Sequence, residues 1–235
     1  MAASYLTRRE EIEHYFDRTA AEAWRRLTSD APVGRIRATV RAGRDTMRAT
    51  LLGWLPADLR GRRILDAGCG TGAFATEAAR RGATVIAGDL SPTLFERARE
   101  RAPRQAGPGS IEFRVGDMLE QRDGRFDHVV AMDSLIHYGT EDVVAALVAL
   151  SRRASRSVLA TFAPSTPLLA AMHAVGRCFP RSDRAPSIVP VRERQLLGRL
   201  AREPDLIGWQ ALRTERVSRG FYTSQALEIV STDPA

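Results

Sequence analysis

The chain has 235 residues, of which 44% are hydrophobic and 27% charged, a composition that fits one globular domain and excludes disorder, collagen and coiled coil. Its formal net charge is +7 and all 35 basic residues are arginine, so Schiff-base, P-loop and ATP-phosphate lysine chemistry are excluded. Cys69 and Cys178 show neither CxxC spacing nor a companion histidine cluster. No metal site and no redox motif is therefore expected, and a reducing compartment is.

The N-terminus, MAASYLTRREEIEHYF, lacks the apolar run of a signal peptide, which predicts a cytoplasmic protein. Charge is uneven along the chain: +5 over residues 1–63, −1 over 64–163, +5 over 164–220 and −2 over 221–235. A neutral core thus carries two basic attachments, as recognition elements for an anionic partner would. In the first attachment Arg37, Arg41, Arg44 and Arg48 recur at helical steps beside an apolar stripe of Ile36, Val40 and Met47. Such a helix can pack on a core and offer guanidinium groups to carboxylates, phosphates or a membrane surface.

From residue 63, short apolar runs alternate with helix-compatible segments, the pattern of an α/β protein with a parallel sheet. Strands are predicted near 63–67, 83–88, 111–115, 126–132 and 157–163, and helices over 72–81, 91–101 and 140–152. Ser91 before Pro92, and Thr140 before Glu141, mark two of the helix starts. Residues 157–176 carry no formal charge, but the turn chemistry of Pro164-Ser165-Thr166-Pro167 divides them into a buried strand and a short apolar helix. The tail over 209–231 reads as two more strands with Gly220 near the turn. This gives one domain in four parts: an N-terminal helical cap (1–62), a core (63–163), an insertion (164–208) and C-terminal strands (209–235).

The most informative string is Arg63-Ile64-Leu65-Asp66-Ala67-Gly68-Cys69-Gly70-Thr71-Gly72. A strand ends at Asp66, and the glycines let the backbone turn tightly and approach a ligand at a helix N-terminus. Asp89 ends the next strand, where a carboxylate can accept both hydroxyls of a ribose. Gly116-Asp117-Met118 follows the third strand, and Phe126 to Asp133 forms the fourth. Residues 60–163 here resemble the class I S-adenosylmethionine-dependent methyltransferases. The resemblance implies a Rossmann-like, mostly parallel seven-stranded sheet with helices on both faces and a lid-like insertion after the fifth strand. It also implies a cofactor site of Asp66, Gly68, Cys69, Gly70 and Gly72 under the methionine portion, Asp89 and Leu90 at the ribose, Asp117 and Met118 at the adenine, and Met132 and Asp133 beside the sulfonium.

After the fourth strand the chain reads Asp133-Ser134-Leu135-Ile136-His137-Tyr138, not the Asp/Asn-Pro-Pro-aromatic turn by which base-amine methyltransferases resemble one another. No Pro-Cys nucleophile is present either. Together with Tyr15-Phe16-Asp17, Ala23-Trp24-Arg25-Arg26-Leu27, Val40-Arg41-Ala42-Gly43-Arg44, Phe162 to Pro167, Met172-His173, Gly176 to Pro186 and Phe221-Tyr222-Thr223-Ser224, this loop resembles the magnesium-protoporphyrin IX O-methyltransferases of (bacterio)chlorophyll synthesis. That resemblance implies methyl transfer to a propionate carboxylate of magnesium-protoporphyrin IX, with His137 orienting the acceptor or handling a proton. A porphyrin is an apolar disc with propionates on one edge, so its enzyme needs an apolar wall and arginines at the rim. Tyr15, Tyr138, Met172 and Phe179 are candidates for the wall, and Arg37, Arg41 and Arg181 for the rim. Implied partners are the porphyrin substrate, a magnesium chelatase subunit that delivers it, and a photosynthetic membrane touched peripherally; nucleic acid is not among them. Two other readings stay open: methylation of another small molecule such as a quinone precursor or phenol, where a base would be essential, and an RNA-binding or RNA-modifying protein, for which no aromatic platform accompanies the arginines.

Overall fold

The computed structural model describes residues 3–15, 35–101, 107–119, 124–165 and 187–233. Two helices, α1 (Ala3–Tyr15) and α2 (Arg35–Trp54), precede the alternating units β1 (Arg63–Ala67), α3 (Ala73–Arg80), β2 (Thr84–Asp89), α4 (Pro92–Arg101) and β3 (Ser110–Val115). Then come β4 (Phe126–Ala131), α5 (Thr140–Ser151), β5 (Ala154–Phe162), α6 (Glu193–Leu200), β6 (Trp209–Arg219) and β7 (Tyr222–Ser231). The seven strands form one sheet in the order β3-β2-β1-β4-β5-β7-β6. The first five are parallel to one another, and β7 runs antiparallel between β5 and β6.

Successive strand residues point to opposite faces, so neighbours in sequence serve different cores. Ile64, Val85, Val130 and Leu159 pack with Met47 and Leu51 of α2 and Phe74 and Ala78 of α3. Leu65, Ile86, Val129 and Val158 face the other way, toward Val143 and Leu147 of α5, Leu196 of α6, and Tyr5 and Ile12 of α1. The central strands are covered on both faces and therefore read as continuous apolar runs rather than alternating ones.

The chain builds outward from β1 to β3 and then returns to place β4 on the other side of β1. At such a reversal the loops leaving the carboxyl ends of the two central strands diverge and leave a crevice. Two helix starts follow their sequence signals in part. Ser91 Oγ accepts the Leu94 amide at 3.2 Å as an N-cap. Gly139, rather than Thr140, takes the cap of α5, whose first turn carries Glu141 and Asp142.

Helix α6 has no counterpart among the predicted elements, and α1 falls inside the predicted N-terminal helical cap without being singled out there. Both are polar on average, and α1 has almost no one-sided apolar stripe; tertiary contacts hold them. Helix α2 seats against the last hairpin at two close approaches. A Cβ on Gly43 would stand 2.5 Å from the Tyr222 ring, and one on Gly220 would stand 2.8 Å from Thr39. The short apolar helix predicted after Pro167, with Met172, Phe179 and Arg181, lies outside the described residues. Among the described residues no helix is long and apolar enough to cross a membrane.

Gly43→Ala should therefore cost about 1–3 kcal/mol, the usual penalty of overpacking. Gly53→Ala, in the same helix with open space around it, should be neutral or stabilise by up to about 1 kcal/mol. Urea denaturation of the two variants checks the contrast.

Candidate active site

The crevice at the ends of β1, β2 and β4 is shaped first by backbone. Gly68, Gly70 and Gly72 take φ of 82°, 55° and 73°, and a Cβ on Gly68 would stand 2.3 Å from Ser134 Oγ. Ser134 Oγ donates to the Ala67 carbonyl at 2.7 Å, so the loop after β4 is stapled to the loop after β1. The Gly68 and Cys69 amides both donate to the Gly88 carbonyl, at 2.8 and 3.0 Å. Asp89 then turns back on the same loop. Its Oδ2 accepts the Gly70 amide at 2.7 Å and its Oδ1 the Ser91 amide at 3.0 Å.

Asp66 lies beneath this loop with 1% exposure. Burial, reinforced by Asp89 and opposed by a hydrogen bond from the Ala75 amide, pushes its carboxyl up to about 7. Its Oδ2 has no hydrogen-bond partner among the described residues. Cys69 is half-buried, and burial together with the Asp89 and Asp66 carboxylates pushes its thiol well up, which leaves it a poor nucleophile.

Beyond β3, Asp117 is buried and held from three sides. Tyr5 donates to Oδ1 at 2.9 Å, Arg9 to Oδ2 at 3.1 Å and the Leu119 amide to Oδ1 at 2.8 Å. The Tyr5 ring stacks on Tyr138, with centroids 4.9 Å apart. Burial first, and the Asp117 charge second, push both phenols up, so neither ionises near neutrality. Arg153, with its guanidinium over the Phe126 ring, donates to the Met118 carbonyl at 3.2 Å and braces the same segment.

At the end of β4, Asp133 has φ 56°, the one left-handed non-glycine residue among the described residues. Its amide donates to Thr161 Oγ1 at 2.7 Å. Its Oδ1 accepts Tyr222 OH at 2.9 Å, and Arg44 stands 2.9 Å from Oδ2. Four residues on, His137 is buried with Nδ1 3.3 Å from the Ser187 carbonyl. A carbonyl only accepts, so Nδ1 carries the hydrogen in this contact and a neutral ring has an unprotonated Nε2.

The structure thus gathers Asp66, Gly68, Cys69, Gly70, Gly72, Asp89, Asp117, Asp133 and His137 around one crevice. Leu90 is half-buried beside Asp89, and Met118 and Met132 lie in the cores beneath. Tyr138 is sealed under Tyr5 rather than lining an open wall. Arg41 lies half-buried on α2, while Arg37 on α2 and Tyr15 at the end of α1 have only their helical backbone described. The arginine stripe is not a uniform rim, because Arg44 turns inward to Asp133 and Arg48 pairs with Asp45 at 2.8 Å. Tyr5 and Arg9 are site residues that sequence reasoning missed, while Arg44 reads as part of the arginine stripe and Tyr222 as part of a resembling motif, neither as a partner of Asp133. Tyr5 and Arg9, at helical spacing i and i+4, were the available signal for α1.

The parallel sheet, the strand-end crevice and the acidic residue closing β2 define a class I S-adenosylmethionine-dependent methyltransferase. A pattern described as "Methyltransferase domain" matches residues 64–156, and one described as "Magnesium-protoporphyrin IX methyltransferase C-terminus" matches residues 131–231. The magnesium-protoporphyrin O-methyltransferase of Rhodobacter capsulatus is 47% identical over 229 residues, covering 97% of this chain and 99% of that protein. The crystal structure of magnesium protoporphyrin IX methyltransferase from Synechocystis PCC 6803 with bound SAH superposes with a TM-score of 0.82 at 30% identity, covering 94% of this chain and 99% of that one. This chain belongs to the magnesium-protoporphyrin O-methyltransferase family. The ubiquinone biosynthesis O-methyltransferase of Paracidovorax citrulli, 41% identical, matches over only 37% of this chain and 38% of its own.

The Asp66 carboxyl sets a pH test. Between its ordinary 3.8 and about 7 the folded state keeps a proton that the unfolded state has lost, so the stabilisation it gives is present at low pH and is lost as pH rises through 7. Asp66→Asn, neutral throughout, should gain on the wild type from pH 4 to 7, with the gap level above that. Urea denaturation of the ligand-free proteins at pH 4.5, 6 and 7.5 measures it; a gap independent of pH would show that Asp66 is ionised in the fold.

Proposed function

We propose that this chain moves the methyl group of S-adenosylmethionine to a propionate carboxylate of magnesium-protoporphyrin IX and forms the monomethyl ester. The observation that carries this reading is where the porphyrin-family pattern falls. Residues 131–231 include the end of β4, the His137 loop and the last hairpin, which is the acceptor side of the crevice. The ubiquinone relative matches over 37% of this chain, whereas the magnesium-protoporphyrin relative matches over 97%, so the likeness along the whole chain is to the porphyrin enzymes.

The donor set fits the cofactor. Asp66, with its buried partnerless oxygen, and the Gly68–Gly72 turn with Cys69 would hold the methionine portion. Asp89, whose two oxygens are already aimed by backbone amides, would take the ribose hydroxyls beside Leu90. Asp117 and Met118 would meet the adenine, and Met132 and the Asp133 backbone would flank the sulfonium. When bound, S-adenosylmethionine supplies an electrophilic methyl group.

A propionate ionises near the glutamate value of about 4.3 and is already a nucleophile at neutral pH, so the chain has no proton to remove. Its task is placement, which can be worth roughly 7–11 kcal/mol. With Nδ1–H directed at Ser187, His137 can donate a hydrogen bond from Nε2 to a carboxylate only as an imidazolium; the neutral ring there can only accept. Arg37, Arg41 and Arg181 would meet the propionates, and Tyr15, Met172 and Phe179 the macrocycle. The same reading includes delivery by a magnesium chelatase subunit and a peripheral membrane contact. Supporting the latter, Leu6, Ile188 and Phe221 are exposed apolar side chains next in sequence to Tyr5, Ser187 and Tyr222.

The direct test is labelled S-adenosylmethionine with magnesium-protoporphyrin, free protoporphyrin, a catechol quinone precursor and RNA. Label should enter the metalated porphyrin as a base-labile ester; label entering the catechol or RNA alone would overturn the proposal. Asp89→Ala should weaken cofactor binding by about 1.5–3 kcal/mol in calorimetry, since it removes charge-assisted hydrogen bonds. His137→Gln, which keeps a hydrogen-bonding side chain there, should keep measurable turnover. Complete loss in a folded variant that still binds both ligands would point to proton transfer and to a phenolic acceptor.

A further inference from the structure

We infer that Arg44 and Tyr222 are positioning residues for methyl transfer, acting through the Asp133 carboxylate on the loop that carries His137. The inference deepens the function proposed above and rests on it for its catalytic part. Asp133 lies two residues beyond β4, beside the crevice, and takes a left-handed backbone conformation with φ 56°. Without a local glycine such a conformation is held by its surroundings.

Here the surroundings are a cage. Tyr222 OH donates to Oδ1 at 2.9 Å, Thr161 Oγ1 at 3.3 Å and Ser224 Oγ at 3.5 Å, while Arg44 stands 2.9 Å from Oδ2. The carboxylate side chain is 5% exposed. Its Oδ1 is thus filled from β5 and β7, while Oδ2 faces the Arg44 guanidinium of α2 as an ion pair and accepts no hydrogen bond among the described residues. The next residue, Ser134, bonds the Ala67 carbonyl and sits against Gly68, so the direction in which the chain leaves Asp133 fixes both the glycine turn and the start of the 134–138 loop. That loop closes on itself through the Tyr138 amide to the Leu135 carbonyl at 3.2 Å, which carries the Asp133 geometry to His137.

The arrangement assigns different work to residues the sequence pattern treats alike. Arg44 shares a helical face with Arg41 yet spends its charge on Asp133, and Tyr222 is fixed in place by Gly43 packing against its ring. Cap helix, strand end and hairpin meet at this one carboxylate. Loosening it should misplace the acceptor more than the cofactor, which keeps its proposed contacts at Asp66, Asp89 and Asp117, and a misplacement of about 1 Å can cost on the order of a hundredfold in rate.

The test uses Tyr222→Phe, which removes one hydroxyl, with Arg44→Met and Arg44→Lys in the full chain. Both Tyr222→Phe and Arg44→Met should lower kcat with magnesium-protoporphyrin by on the order of tenfold to a hundredfold. Calorimetric affinity for S-adenosylmethionine should stay within about twofold, and Arg44→Lys should recover part of the loss by restoring the charge. Independently of any acceptor, amide hydrogen exchange over 134–138 should quicken in both variants while that of β2 is unchanged. Exchange over 134–138 that stays at the wild-type rate, or cofactor affinity that falls in step with kcat, would overturn the inference. A wild type that methylates no porphyrin would instead overturn the proposed function, and the exchange measurement would still decide this one.

Discussion

A single buried carboxylate, Asp133, ties together the parts of the molecule that do not belong to the same supersecondary unit. Burying a charge costs several kcal/mol unless it is paired and hydrogen-bonded. Asp133 meets that cost with Arg44 from the cap, Thr161 from β5 and Tyr222 and Ser224 from β7. Breaking a buried pair of this kind by removing one partner typically costs about 3–5 kcal/mol. The Arg44 pair thus adds to the packing of the cap helix on the hairpin at Gly43, Thr50 and Trp54, and the loop leaving β4 starts from it.

The arginine surplus takes on a different meaning once the ion pairs are known. Arg9 serves Asp117, Arg44 serves Asp133, and Arg62 and Arg156 share Asp127 on the strand bottoms. Together with the Arg63 amide, and against its own burial, those two arginines hold the Asp127 carboxyl below its ordinary value. Arg199 grips Glu141 and Arg213 grips Glu228 while lying over the Trp54 ring. The exposed pairs contribute little. The buried ones orient specific carboxylates, and two of those carboxylates border the crevice. Each pair is neutral, so this wiring explains where particular arginines are spent and leaves the surplus of +7 itself to solvent or an anionic partner.

The N-terminal helix shows how a site can recruit a segment with no motif. Helix α1 presents Tyr5 and Arg9 to Asp117 and stacks Tyr5 on Tyr138, so the carboxylate proposed to meet the adenine is positioned from outside the core. The α/β core supplies the backbone turn and Asp89, and the flanking helices and hairpin supply the side proposed to hold the acceptor.

The sequence by itself determined the α/β alternation, the strand ends at Asp66 and Asp89, the glycine turn, the loop from Asp133 to Tyr138 and the hairpin around Gly220. These are local: each depends on strand and helix periodicity, on turn chemistry or on a motif within a few residues. Only the tertiary structure decided that Asp133 faces Arg44 and Tyr222, that Arg44 leaves the arginine stripe, that Tyr138 lies under Tyr5 and that Asp66 stands buried with an oxygen left over. Those partners are 89 and 133 residues apart in the chain. Which carboxylate meets which arginine is set by how two cores and a hairpin close on one another, and hydrophobic periodicity, which records only the face a residue takes, carries no information about that pairing.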